Sequence, residues 1–186
     1  MLLAQTLDLE PTARKYAAMG SLLLFEGKFK ESAEMEKKAI ELDASRYEAY
    51  ADLGVAYQWG GGNRDQASQA FQKAIALEEA ARLKRPRDAA LLATLADDYA
   101  SVGDSEKSLV LARQALALAP DSPTVEFKTG DAYETLGKRK EAIPLIAKAL
   151  ANGYNQYEFE HNPGLAGLRG DAKFASALKS FKEKKR

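Results

Sequence analysis

The stretch "LLATLADDYASVGDSEKSLVLARQALALAPDSP", residues 91–123, holds two helical patterns around one glycine. Leu92, Leu95, Ala96 and Tyr99 recur at i, i+3, i+4, i+7, the spacing of one helix face. Ser108, Leu111, Ala112 and Ala115 repeat that spacing beyond Gly103. Glycine between two such faces ends one helix and opens the turn to the next. The segment therefore reads as a helix hairpin. Small residues mark where its two helices cross closely, and a large one fills the space beside them.

The same pattern recurs along the chain. Gly20 and Gly54 lie 34 residues apart, as do Ala96 and Gly130. Three residues after each comes a large side chain: Leu23, Tyr57, Tyr99 and Tyr133. Seven residues after each comes Gly27, Gly61, Gly103 or Gly137. Small residues follow at Ser32, Ala67, Ser108 and Ala142, and again at Ala39, Ala74, Ala115 and Ala149. A fixed period of this length is the signature of a helical-repeat array.

The repeat resembles the tetratricopeptide repeat (TPR). The resemblance rests on residues 91–123, on "YADLGVAYQWGGGNRDQASQAFQKAIAL" (50–77) and on "EFKTGDAYETLGKRKEAIPLIAKAL" (126–150), and covers roughly residues 13–156. It implies an all-α, right-handed TPR superhelical solenoid of helix hairpins with a C-terminal capping helix. The units are 13–46, 47–81, 89–122 and 123–156, with 82–88 as an inter-repeat linker and 157–186 as the cap. The pattern departs from the family in three places. Only Pro120 fills the proline position that usually ends a unit. Glu36 stands where the second unit has Phe71. Pro144 falls inside a second helix.

"RLKRPRD" (82–88) is extra, and the preceding helix is expected to run to about Lys84 and break before Pro86. Residues 2–11, "LLAQTLDLEP", read as the closing half of another repeat whose first helix is missing. This predicts either a partial N-terminal repeat over 1–12, in a chain cut from a longer protein, or a short native N-terminal cap helix there. At the other end, Gly153, Tyr154, Pro163, Leu165, Leu168, Arg169, Asp171, Phe174 and Leu178 match the segment that closes many bacterial TPR arrays. That resemblance implies a C-terminal module of a bacterial multidomain, signalling-type protein. Asp171 is positioned to cap the last helix, and Phe174, Leu178 and Phe181 form its buried stripe.

Composition narrows the chemistry. There are 27 basic and 27 acidic residues, so formal net charge is zero, which argues against nucleic acid as a partner. No apolar run is long enough for membrane insertion. There is no cysteine and one histidine, His161, so thiolate, His-triad and multi-His metal chemistry are not expected. His161 reads as a turn or capping residue. Glu78/Glu79 and Asp97/Asp98 are adjacent in helices and point about 100° apart, so neither makes an acid/base pair. The glycine run at 60–62 lacks the Gly-Lys-Ser/Thr and the strand of a phosphate loop. Against the other units it reads as a one-residue insertion in a hairpin turn. No catalytic residue, metal site or cofactor is expected, and composition leaves the compartment open.

In the TPR family the first helices line a concave face that binds peptides. Projecting that face gives a partner-binding groove of Arg14, Ser21, Phe25, Glu48, Asp52, Val55, Gln58, Trp59, Asp97, Ser101, Phe127, Asp131 and Glu134. Acids outnumber bases there, and Phe25, Trp59 and Phe127 are the expected apolar anchors. The resemblance thus implies a protein-interaction scaffold for an apolar, basic or neutral peptide. The family's clamp for chaperone C-terminal tails is absent: Ala17, Ser21, Asp52, Ala90 and Thr94 occupy its positions. The alternative expectation is a self-associating structural or regulatory module, a homo-oligomer through the N-terminal end.

Overall fold

The computed structural model describes residues 12–62 and 64–183. The predicted partial repeat at 1–12 lies almost wholly outside them. Every regular element among the described residues is helical. The chain divides into two compact units, one ending at Glu78 and the other beginning at Glu79.

The first unit contains α1 (Ala13–Phe25), α2 (Phe29–Leu42), α3 (Tyr47–Trp59) and the start of α4 (Arg64–Lys84). Its core includes two alanine-rich clusters, Ala17, Ala39 and Ala49 around Tyr16 and Ile40, and Ala33, Leu53, Ala56 and Ala70 around Ile40 and Tyr57; Leu24, Phe71 and Ile75 are buried as well. Alanine at these crossings lets the helix backbones approach.

The second unit holds the end of α4, then α5 (Ala89–Ser101), α6 (Ser105–Leu118), α7 (Pro123–Thr135) and α8 (Arg139–Ala151). Next come α9 (Gln156–His161), a 3₁₀ turn (Pro163–Leu165), α10 (Ala166–Arg169) and α11 (Ala172–Glu183). Its core joins Phe127, Ile143 and Ile146 to Phe159, Leu165, Leu168 and Phe174 from the closing segment.

Helix boundaries follow local chemistry. The Asp88 carboxylate accepts from Leu91 N–H at 3.1 Å and opens α5; α4 ends at Lys84, before Pro86 as expected. Asp104 caps α6 through Lys107 N–H, and Pro123 occupies the first turn of α7, where no N–H is needed. In all four hairpins the first helix ends identically. The N–H of Lys28, Gly62, Asp104 and Lys138 donates to the carbonyl of Leu23, Tyr57, Tyr99 and Tyr133, five residues back. That closure needs a left-handed residue between, and Gly61 supplies it with φ of +72°, as the matching glycines do in the other turns.

The run at 60–62 is therefore three separate requirements. Gly61 meets the left-handed turn. A Cβ on Gly60 would fall 2.6 Å from the Ala56 carbonyl, and one on Gly62 2.9 Å from that of Tyr57. The second helix begins two residues after Gly27, Gly103 and Gly137; in this turn the expected one-residue insertion adjoins residue 63, outside the described residues.

Within the closing segment one guanidinium bridges two carbonyls, and Arg139 of α8 reaches the segment at the Gly167 carbonyl and Asp171. Arg169 donates to the carbonyls of Phe159 and Asn162, each at 2.8 Å. Asp171 caps α11 through Lys173 N–H at 2.8 Å, and Leu165 and Leu168 are fully buried. His161 stacks on Tyr157 at 4.0 Å, its Nδ1 2.8 Å from the Tyr157 carbonyl, and so serves to end α9.

Candidate functional site

The first helices of the second unit, α5 and α7, meet α9 at a polar cluster. Lys128 and Asp131, one turn apart on α7, share a face with Asp97 of α5. The Lys128 ammonium lies 3.7 Å from Asp97 and 4.0 Å from Glu158 of α9. Asn162 donates to Asp131 at 2.7 Å. Three carboxyl groups thus share one lysine. Their side chains are largely withdrawn from water, 17% exposed at Asp97 and 21% at Glu158, while the Asp131 residue is 8% exposed.

Burial sets the titration, and the excess of carboxyls over ammonium adds to it. Burial raises Asp97 to about 7; Lys128 opposes this, while Asp98 and Glu158 add to it. Burial likewise raises Asp131 to about 8, helped by Asp97 and opposed by Lys128. Burial works against charge on Lys128 too, but the surrounding acids win and hold its ammonium above the usual range. Beneath the cluster, Tyr154 stacks on Phe127 with centroids 4.0 Å apart.

Of the residues expected to line a groove, the structure brings Asp97 and Asp131 into this cluster. Phe127 requires a correction. It is fully buried, its ring covered by Tyr154, so it is core beneath the face and no anchor for a partner. Ala17, one of the clamp positions, is also buried. Glu134 is held by Arg139 through both carboxylate oxygens. Ser101 is half-buried. In the first unit, the Ser21 hydroxyl donates to Asp52 at 2.5 Å. Arg14, Glu48, Gln58 and Trp59 are exposed there, and Phe25 and Val55 half-buried.

Sequence reasoning missed Lys128, Tyr154, Glu158 and Asn162. Lys128 was recoverable, since it precedes Asp131 by one helical turn. Tyr154 was noted only as part of the closing segment. Glu158 and Asn162 lie beyond the last repeat, where no period assigns a face.

Helix hairpins that cross at small residues and close on left-handed glycines define a helical-repeat scaffold. One such hairpin, α3 with α4, is matched by a tetratricopeptide repeat model, over residues 47–80. No curated protein matches the chain. Among solved structures, a thermophilic TPR protein of Thermus thermophilus is 24% identical, over 96% of this chain and 88% of that one, with a TM-score of 0.59. MamA is 26% identical over 81% of this chain and 84% of its own, at a TM-score of 0.45. YrrB, described as a TPR protein with an unusual peptide-binding site, is 17% identical over 98% and 92%, at 0.48. The first of these supports the fold. TPR proteins are typically non-enzymatic scaffolds that bind protein or peptide partners. Among the described residues, no helix is long and apolar enough to cross a membrane, and no group of three or more His, Asp or Glu side chains is placed to hold a metal ion.

Proposed function

We propose that the protein is an interaction scaffold whose second unit receives a partner segment across α5, α7 and α9. The observation that supports this is the charge imbalance of the cluster. Asp97, Asp131 and Glu158 face one ammonium, and burial already holds two of them partly protonated. A lysine or arginine from a partner supplies the missing charge. Its attraction is strengthened because the carboxyls are shielded from bulk water. The fit is to a basic side chain within an otherwise neutral segment, since long-range steering is weak on a chain of zero net charge. The remaining groove positions, Arg14, Ser21, Phe25, Glu48, Asp52, Val55, Gln58 and Trp59, extend the same reading to the first unit.

A peptide array that varies the sign of one central residue tests this on the full chain. Basic peptides are expected to bind, and Asp131→Asn to weaken them about tenfold, or about 1.4 kcal/mol. Binding that is indifferent to peptide charge and to Asp131→Asn would refute the assignment.

A further inference from the structure

Glu36, on α2, occupies a place that is apolar in the second and fourth hairpins. It packs against Gly20 of α1 as Phe71 packs against Gly54 and Ile146 against Gly130. A Cβ at Gly20 would strike the Glu36 carboxyl itself. Glu36 is 0% exposed, and among the described residues neither carboxyl oxygen has a hydrogen-bond partner. Two charged groups among the described residues act on it. Asp52, from α3, disfavours ionisation, and Arg46, in the turn before α3, favours it. On its other side α1 presents Gly20, which has no side chain. The Arg46 Nε is itself buried without a hydrogen-bond partner.

We propose that the Glu36 carboxyl is a proton-dependent latch in the first unit. Neutral, it seats against Gly20 and holds α1 on α2. Ionised, it leaves that seat towards Arg46, and the crossing loosens. The geometry favours the neutral form as the seated one, because a carboxylate there would be fully buried and would face no donor among the described residues. Burial accordingly raises the group from its ordinary range to about 9, with Asp52 adding to the effect and Arg46 opposing it.

The sign follows from proton counting. Between about 4.5 and about 9 the unfolded chain has lost this proton and the folded chain keeps it. Stability of the first unit therefore falls as pH rises through that window, and the group contributes no slope outside it.

Three measurements on the full chain test the latch. Carboxyl-carbon NMR should show Glu36 titrating near 9; a midpoint near 4.5 would overturn the proposal. Trp59, the one tryptophan, lies on α3 and reports urea unfolding of this unit by its emission. The unfolding constant should rise roughly a hundredfold or more between about pH 6 and about pH 9 in the wild type, and much less in Glu36→Gln. An equal rise in both would overturn it. Arg46→Gln should move the Glu36 midpoint upward; an unmoved midpoint would remove Arg46 from the device.

Discussion

The first and fourth hairpins cross at the same point of the repeat and fill it with opposite chemistry. At Gly130, α7 meets Ile146, and an added Cβ would lie 2.5 Å from its Cγ1. At Gly20, α1 meets the carboxyl of Glu36. Both partners are fully buried. The backbone solution is shared; the side chain that fills it is not. The crossing therefore needs a certain volume beside a glycine, and it tolerates a polar head only if that head stays neutral. Around Ile146 the second unit adds Phe159, Leu165, Leu168 and Phe174 to the core, whereas the cluster beside Glu36 on α2 is mostly alanine: Ala17, Ala39 and Ala49. The fourth hairpin has more apolar material to lose.

The sharpest way to break the comparison is to move the carboxyl. Ile146→Glu removes an apolar side chain and sets a polar group among Phe127, Phe159, Leu165 and Leu168. The expected cost is about 4 kcal/mol or more. Urea unfolding followed by circular dichroism measures it. A loss below about 1 kcal/mol would mean that the two crossings are equivalent after all.

The reverse exchange has a smaller effect of opposite sign. Glu36→Leu fills the seat beside Gly20 with a group that needs no partner. It should stabilise the first unit by about 1–3 kcal/mol near neutral pH, and by more as pH rises. Trp59 emission during urea unfolding gives the midpoint. Destabilisation would show that Glu36 makes contacts leucine cannot replace.

The hairpins were legible because their signals are local and repeated. Gly27, Gly61, Gly103 and Gly137 each close a first helix, and Leu23, Tyr57, Tyr99 and Tyr133 supply the carbonyls that the closure uses. The end of α4 was legible because Pro86 restricts the residue before it. Glu36 was visible as an exception to the pattern, but its neutrality follows only from burial against Gly20. The candidate site was half legible. Asp97 and Asp131 came from projecting helix faces, while Glu158 and Asn162 come from a closing segment with no period to place them. Phe127 was misassigned because a projected face does not show what lies on top of it. Here Tyr154, from the turn after α8, covers the ring.

Trp59 and Phe127 give the finest form of the comparison, since both were expected as aromatic anchors. Phe127 is 0% exposed and belongs to the core, whereas Trp59 is 44% exposed at the last turn of α3. An aromatic that remains nearly half in water contributes little apolar burial to folding. The Gly60–Gly61 turn that follows is closed by its own backbone hydrogen bonds, from Gly60 N–H to Ala56 and from Gly62 N–H to Tyr57, and these do not involve the indole. Trp59→Ala should therefore change stability by about 0.5 kcal/mol or less. Tyrosine emission or circular dichroism can follow the unfolding of that variant, since its fluorescent reporter is gone. A loss above about 2 kcal/mol would place Trp59 with Phe127 as a structural aromatic. A small loss leaves the ring free to serve a partner on the first unit.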